Sequence, residues 1–227
     1  MIYVRLCKLP VDIKLIKLGK GEHKTVQYRS MNKHEQVPVL VETSAGKITF
    51  VLPESQAIMI YLAERFKNEC KEYYGETNEE KAEILAAMQF GHANIRASFA
   101  GVSWNAFVAK NMGAKLSLEM SLYFEEKCKV ALRKLEDKWL GAFMSGRAHA
   151  SIADLLIVED IVNLQLLRGS PFREKLQSLE SLLEPYPKTR QWIDAIKNLE
   201  HGTWNELHQT LERVSNEAKQ RLLTSKL

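Results

Sequence analysis

The apolar residues in the first part of the chain follow a strand-like spacing. Val11, Ile13 and Leu15 alternate with polar residues, which is typical of a strand with one buried face. The segments 37–41 and 48–52 are short, apolar and β-branched, and a six-residue connection with Ser, Ala and Gly separates them. Two such segments joined by a short polar connection predict a β-hairpin.

Helical spacing follows the predicted hairpin. Ile58, Tyr61 and Leu62 recur three to four residues apart after Pro53-Glu-Ser and predict a helix to about Phe66. From about Asn78 onward, apolar residues recur with the helical period throughout. The predicted helices cover residues 84–110, 117–139, 151–167, 188–199 and 203–222.

These two spacings predict two domains. Residues 1–66 form a small α/β domain, residues 67–78 form a linker rich in charge and tyrosine, and residues 79–227 form an all-helical domain. Ser151-Ile-Ala-Asp154 has the form of a capping box, in which the serine and the acid cap each other's backbone amides. We therefore interpret Asp154 as a structural acid, although it lies in an apolar segment.

Composition and charge exclude several classes of function. The 227 residues are 45% hydrophobic and 26% charged, and their apolar stretches are too short for a membrane span. Arg5 and Lys8 interrupt the first apolar residues, so a secretory signal is not expected. The net charge of +4 lies in residues 1–66, with 10 basic against 6 acidic residues, but no basic run suggests nucleic acid. A small anionic ligand and a mildly basic solvated face are the two remaining interpretations.

The three cysteines predict neither a disulfide scaffold nor a zinc site. Cys7, Cys70 and Cys128 are odd in number, widely spaced and without a CxxC pair. We expect reduced thiols in a cytoplasmic protein, and no bound metal.

Two short motifs point to a peptide ligand. An X-Pro bond that becomes cis would turn the backbone of Val37, beside Gln36, towards a peptide-like ligand. Glu54 and Ser55 stand at a predicted helix start, where free amides and the helix dipole favour a carboxylate. Ser55 and Glu54 could then hold the carboxylate and the amine of one peptide. Alone, each motif is also consistent with an ordinary turn or a simple helix cap.

In combination, these motifs resemble the glutathione-binding site of the glutathione transferases, and in particular the theta class. The resemblance runs from Met1 to about Arg221 and rests on a few segments. They are Lys20-Gly-Glu-His-Lys24, Gln36-Val-Pro-Val-Leu40, Pro53-Glu-Ser-Gln-Ala-Ile58, Tyr61-Leu-Ala63 and Ser151-Ile-Ala-Asp-Leu155.

The resemblance implies a thioredoxin-like N-terminal domain that binds glutathione and a helical domain that forms the electrophile pocket. It implies attack of the glutathione thiolate on an electrophile in detoxification, by a cytoplasmic homodimer that uses glutathione as co-substrate and needs no cofactor. By the same resemblance, His23 lies near the glycyl end of glutathione, Gln36 and Val37 beside its cysteinyl backbone, and Glu54 and Ser55 at its γ-glutamyl end. Arg96 would steady the thiolate. A surface-loop histidine and a solvated or interdomain arginine remain the alternatives for His23 and Arg96.

The chain departs from the theta pattern at its start. Theta-class chains begin with a strand and a loop whose serine activates the glutathione sulfur, whereas Met1–Pro10 resembles the end of the helix that follows. No serine precedes Ser30, so the chain resembles an N-terminally truncated member whose first strand is missing and whose activity is impaired. Ile2, Tyr3 and Val4 could alternatively form a partial strand. Cys7 is interpreted as a buried thiol rather than as a redox substitute.

Three interpretations of function remain open at this stage. The first is a glutathione transferase, the second a non-catalytic transferase-like binding module, and the third a truncated isoform or gene model. The electrophile does not follow from the sequence. Trp104, Phe107 and Met112 are candidates for its pocket, with the helical core as their alternative location.

Overall fold

The computed structural model describes residues 1–69, 71–199 and 202–224. Most of them are helical. The helices are α1 Ile2–Leu6, α2 Val26–Met31, α3 Ser55–Arg65, α4 Lys71–Tyr74, α5 Asn78–Phe90, α6 Ala97–Ser103, α7 Ala109–Asn111, α8 Leu118–Lys134, α9 Ile152–Val162, α10 Leu179–Leu183, α11 Pro187–Lys197 and α12 Thr203–Thr224. The strands are β1 Val39–Ser44 and β2 Lys47–Pro53.

The predicted hairpin is confirmed, with a shorter connection. β1 and β2 pair antiparallel from Val39↔Pro53 to Ser44↔Lys47. The connection has two residues, Ala45 and Gly46, with φ of +49° and +76°. Positive φ at both positions suits the twist of a tight hairpin, so the strands extend further than their apolar segments suggested.

The strand expected at 11–15 is not formed. β1 and β2 are the one sheet in the part of the chain that the structure describes, and neither pairs with these residues. Ile13 and Leu15 are 38% and 74% exposed. Alternation predicts a strand only where a neighbour supplies hydrogen bonds, and here none does. The partial strand considered for Ile2, Tyr3 and Val4 is not formed either, because Ile2–Leu6 forms helix α1.

Residues 78–111 form one continuous helical run, close to the predicted one. The run contains two π-helical turns, Gly91–Arg96 and Trp104–Val108, and a third, Leu135–Trp139, extends α8. Such turns insert one residue into a helix and are frequent at functional sites. A Cβ at Gly91 would lie 2.3 Å from the Ile157 side chain, so the glycine lets α9 approach this run closely.

Helix α9 is the centre of the helical region. Ile152, Ile157, Val158 and Ile161 are at most 2% exposed, and the helix is buried on nearly all sides. Asp154 is equally buried and accepts four hydrogen bonds. They come from the Met144 amide at 2.8 Å, the Ser151 amide and hydroxyl at 2.7 Å each, and the Trp192 indole at 2.7 Å. The interpretation of Asp154 as structural is confirmed, and it also joins α9 to α11.

Helix α1 connects the first residues to the helical region. It packs against α9 and α12, burying Ile2 and Tyr3, and Arg5 forms an ion pair with Glu206. The Tyr3 ring also contacts Tyr73 of α4, with ring centroids 6.2 Å apart. The segment predicted as a linker therefore contains a short helix in contact with α1. The division into residues 1–66, 67–78 and 79–227 stays a prediction.

The expectation of reduced thiols is wrong for Cys7. This residue is half-buried and disulfide-bonded, so it is neither a buried thiol nor free to act as a nucleophile. Cys128 is a free thiol, and burial raises its pKa to about 12. Cys70 lies outside the described residues. Spacing alone missed the disulfide because disulfides depend on distances that sequence does not fix.

No helix in the described ranges is both long and apolar enough to cross a membrane.

Candidate functional site

The hairpin register brings the two sequence motifs together. Val37 and Pro38, joined by a cis peptide bond, immediately precede β1, and Glu54 and Ser55 immediately follow β2. Because Val39 pairs with Pro53, both motifs lie at the same end of the hairpin, opposite its turn. Val37 is 41% exposed, so its surface is accessible to a ligand.

The start of α3 is free of a capping side chain. Glu54 occupies the position before the helix with φ +74°, and its carboxylate makes no hydrogen bond to the first-turn amides. The alternative interpretation of Glu54 as a simple cap is therefore wrong. Ser55 is half-buried and begins the helix. A positive φ at a non-glycine residue costs about 1–3 kcal/mol and is concentrated at binding sites. The arrangement can receive an anion at the helix start.

His23 lies on a short turn of 3₁₀ helix, Glu22–Lys24, ahead of α2. It is buried, which excludes a surface-loop histidine, and its Nδ1 atom has no hydrogen-bond partner among the described residues. Buried ring nitrogens are normally paired. The His23 Nδ1 atom is enclosed by the protein, and the predicted contact of His23 with the glycyl end of glutathione stays a prediction.

Gln36 is held in place through its backbone. Its carbonyl oxygen accepts a hydrogen bond from the Tyr28 hydroxyl at 2.7 Å and another from the Asn32 side-chain amide at 2.8 Å. Sequence reasoning did not find Tyr28 or Asn32. An asparagine just after a helix and before a loop was the available signal, since asparagine commonly organises such turns through its side chain.

Arg96 lies apart from these residues, in the π-helical turn after α5. Its guanidinium bonds the Asp160 carboxylate of α9 at 2.6 Å, and its side chain is 56% exposed. Burial raises the pKa of Asp160, although Arg96 beside it acts in the opposite direction. No hydrogen bond or ion pair in the described chain links Arg96 to His23, Gln36, Val37, Glu54 or Ser55. Its predicted role at the thiolate stays a prediction.

The candidate electrophile residues are not part of the core. Trp104 and Met112 are 45% and 53% exposed, so the core alternative is wrong for both, and Phe107 is half-buried. Trp104 and Phe107 share the second π-helical turn. Within the described ranges, no group of three or more His, Cys, Asp or Glu residues could hold a metal ion.

Comparison with known proteins shows which enzymes the chain is similar to. The sequence profile of the glutathione S-transferase N-terminal domain matches residues 1–65. The chain is 28% identical to glutathione S-transferase T1 of Arabidopsis thaliana over 217 residues, covering 94% of this chain and 84% of that one. It is 27% identical to glutathione S-transferase theta-2 of Rattus norvegicus, covering 78% and 74%.

Two further comparisons describe length and fold. Glutathione S-transferase T2 of Arabidopsis thaliana is 28% identical over 95% of this chain, which spans only 35% of that relative's length. The structure of human glutathione transferase theta-2 in complex with glutathione superposes with a TM-score of 0.81 at 23% identity, covering 97% of this chain and 84% of that one.

The chain is therefore similar to glutathione S-transferases, through its N-terminal 65 residues and through these relatives. The similar relatives include a theta-class enzyme, glutathione S-transferase theta-2 of Rattus norvegicus, so the resemblance to the theta class is confirmed. The fold is the expected one, with a thioredoxin-like N-terminal part and a helical bundle behind it.

Proposed function

We propose that the chain binds glutathione and transfers it, as the thiolate, to electrophilic carbon centres in detoxification, without a cofactor. The observation that carries the proposal is the hairpin register, which sets Val37 beside Glu54 and Ser55. An extended peptide with an amine and a carboxylate at one end fits these three features. Its backbone can pair with Val37, its amine with the exposed Glu54, and its carboxylate with the uncapped start of α3. The similarity to glutathione S-transferases supports the same ligand.

In this proposal each site residue holds one part of glutathione. The backbone of Val37, supported by Gln36, pairs with the cysteinyl residue, as a peptide pairs with an exposed strand edge. Ser55 donates its hydroxyl to the γ-glutamyl carboxylate at the start of α3, and Glu54 accepts from the γ-glutamyl amine. His23 hydrogen-bonds the glycyl end.

Thiol activation is the weaker half of the proposed reaction. A free thiol with a pKa of ~8.5 is only a few per cent thiolate at neutral pH, so a donor or cation must stabilise the anion. Arg96 is the proposed cation, and Asp160 already neutralises part of its charge. No serine precedes Ser30 in these 227 residues to add a hydroxyl donor. Loss of one such donor costs about 10²–10³ in rate, so we propose slow turnover for Met1–Leu227.

Calorimetric titration with glutathione tests the binding half. Ser55→Ala removes a charge-assisted hydrogen bond worth about 1.5–3 kcal/mol, so we expect the affinity to fall roughly tenfold or more. Ser30→Ala is the matched control, because Ser30 is exposed on α2 and its hydroxyl bonds only the Gln27 carbonyl among the described groups. Equal affinity of Ser55→Ala and wild type would refute the proposed site.

A second candidate is a glutathione-binding module without catalysis. The observation that favours it is the Arg96–Asp160 ion pair, which engages the one cation proposed for the thiolate. Retention on immobilised glutathione together with no turnover of an electrophile would support this candidate. Measurable turnover above the rate of free glutathione would exclude it.

We also propose a cytoplasmic homodimer. Helix α8 exposes a set of apolar side chains, which a partner subunit could cover. They are Met120, Leu122, Tyr123 and Val130, each between 41% and 52% exposed. Sedimentation at micromolar concentration should give roughly twice the 26.0 kDa of one chain, and a strict monomer would contradict the proposal.

A further inference from the structure

The carbonyl oxygen of Gln36 is anchored from within the protein by two buried donors. The Tyr28 hydroxyl lies 2.7 Å from it and the Asn32 side-chain nitrogen 2.8 Å. Tyr28 and Asn32 are each 3% exposed, whereas Gln36 itself is exposed. A carbonyl oxygen has two lone pairs, so both acceptor positions are used.

Neither donor can easily turn away. Asn32 also accepts the His34 amide through Oδ1 at 3.0 Å, which fixes the orientation of its side-chain amide. Burial raises the pKa of the Tyr28 hydroxyl, so the group stays protonated at neutral pH and donates. The Tyr28 amide is itself held by the Thr25 hydroxyl that caps α2. The oxygen is thus tied to a fixed helix.

Holding the Gln36 carbonyl oxygen in place orients the N–H group of Val37. The Gln36 carbonyl and the Val37 N–H belong to one trans peptide group, in which oxygen and hydrogen point in opposite directions. With the oxygen held on α2, the Val37 N–H points away from α2. This N–H donates to no acceptor among the residues that the structure describes. Two donors on the carbonyl also polarise the peptide group and make its N–H a better donor.

We propose that Tyr28 and Asn32 are positioning residues for glutathione. They touch no ligand, and they act by holding the Gln36–Val37 peptide so that its N–H meets the cysteinyl carbonyl of glutathione. This inference rests on the proposed function, because it names what orients the backbone in that same site.

Two variants each remove one of the anchoring bonds with little change of shape. Tyr28→Phe deletes the hydroxyl, and Asn32→Asp replaces the donor while keeping the acceptor that His34 uses. We expect each to weaken glutathione binding about three- to tenfold in calorimetric titration. The double variant should weaken it by more than the product of the two, because either donor alone still holds the oxygen.

A second readout separates positioning from stability. In the free protein, the NMR signal of the Val37 amide should shift in both variants and stay unchanged in Ser30→Ala, which alters an exposed serine on the same helix. The number of glutathione sites per folded chain should stay at the wild-type value. A lower number with an unchanged affinity would indicate a merely structural role and overturn the inference.

The outcomes distinguish this inference from the function on which it rests. If folded wild type binds no glutathione, both fail. If Ser55→Ala weakens binding while Tyr28→Phe and Asn32→Asp bind like Ser30→Ala, the positioning inference alone is overturned. If the double variant does not fold, the two single variants decide.

Discussion

The helical part of the chain buries carboxylates within hydrogen-bond networks, whereas the N-terminal part buries no carboxylate among its described residues. In the helical part, Asp154 accepts four hydrogen bonds, and Glu136 receives the Lys188 and Thr189 amides at the start of α11. Buried polar atoms without a hydrogen-bond partner occur in both parts, for example His23 Nδ1 and the Ser103 hydroxyl. A buried carboxylate whose hydrogen bonds are all made fixes the packing of the elements around it.

The apolar side chains of the two parts differ in how deeply they are buried. Ile157 and Ile161 on α9 are at most 2% exposed, whereas Leu15 and Ile48 in the N-terminal part are 74% and 54% exposed. The helical part therefore supplies most of the buried apolar area, which is the main source of stability. The comparison teaches that stability and binding are separated along this chain, so substitutions in the two parts should give different kinds of loss.

The largest effect is expected at Asp154. Asp154→Ala leaves four buried donors without an acceptor, so the free energy of unfolding should fall by roughly 4 kcal/mol or more. Chemical denaturation followed by circular dichroism measures this. Asp137→Ala is the control, since that acid is exposed in the turn after α8. A decrease of less than about 1 kcal/mol in the free energy of unfolding would contradict the comparison, because the buried acids would then contribute little to stability.

A smaller loss is expected where α9 approaches the long helical run. Gly91→Ala places a methyl group 2.3 Å from Ile157 and should lower the free energy of unfolding by about 2 kcal/mol. Ala86→Gly, at an exposed position of α5, measures the intrinsic helical preference in the reverse direction. Should Gly91→Ala stabilise the protein, the close packing of α9 would be refuted.

Arg96 tests whether a residue of the helical part acts in binding or only in stability. If it steadies the thiolate, Arg96→Ala should raise the thiol pKa of bound glutathione by about one unit, equivalent to about 1.4 kcal/mol. Thiolate absorbance followed against pH measures this, with exposed Arg133→Ala as control. An unchanged thiol pKa, with only reduced stability, would assign Arg96 to the helical part as a structural ion pair.

The smallest effect is a pH dependence at His208 of α12. Burial acts to lower the pKa of its imidazole, but the Glu159 carboxylate at 3.1 Å and the Trp204 carbonyl at 2.8 Å outweigh it and raise the pKa. A raised pKa in the folded state stabilises fully below the unfolded value near 6.5, and the gain is lost as pH rises through the folded value.

His208→Asn should therefore cost about 1 kcal/mol or less near pH 5.5 and progressively less above neutrality, because Glu159 is 38% exposed and partly screened. Unfolding curves across this pH range give the difference from wild type. His149→Asn, at an exposed position, is the control. A cost that grows with pH would contradict the assignment of a charged imidazole.

Local patterns in the sequence predicted most of the architecture. Apolar period gave the hairpin and the long helices, and pairing across the hairpin then places Val37 near Glu54 and Ser55. The strand at 11–15 was predicted wrongly because alternation indicates two faces of a segment but not whether another strand lies beside it to pair with. The disulfide of Cys7 was missed for the same reason.

The contacts that complete the site were beyond sequence reasoning. The Arg96–Asp160 ion pair joins residues 64 positions apart, and its formation depends on how two helices pack. The bonds from Tyr28 and Asn32 to Gln36 span only eight and four positions, but they require a loop in which Glu35 adopts φ +55°. The asparagine after α2 was a signal for a turn, but no period or motif indicates which backbone oxygen its side chain and Tyr28 contact.

The packing of α1 against α12 has a consequence for the timing of folding. Arg5 and Glu206 are 201 positions apart, so these two helices meet across almost the whole chain. A ribosome makes residues in order, at roughly 5–20 per second. The contact of α1 with α12 therefore forms at least several seconds after α1 is made, and later than the contact of Tyr3 with Tyr73. During that interval, α4 and α9 can hold α1, but the ion pair of Arg5 with Glu206 cannot yet form.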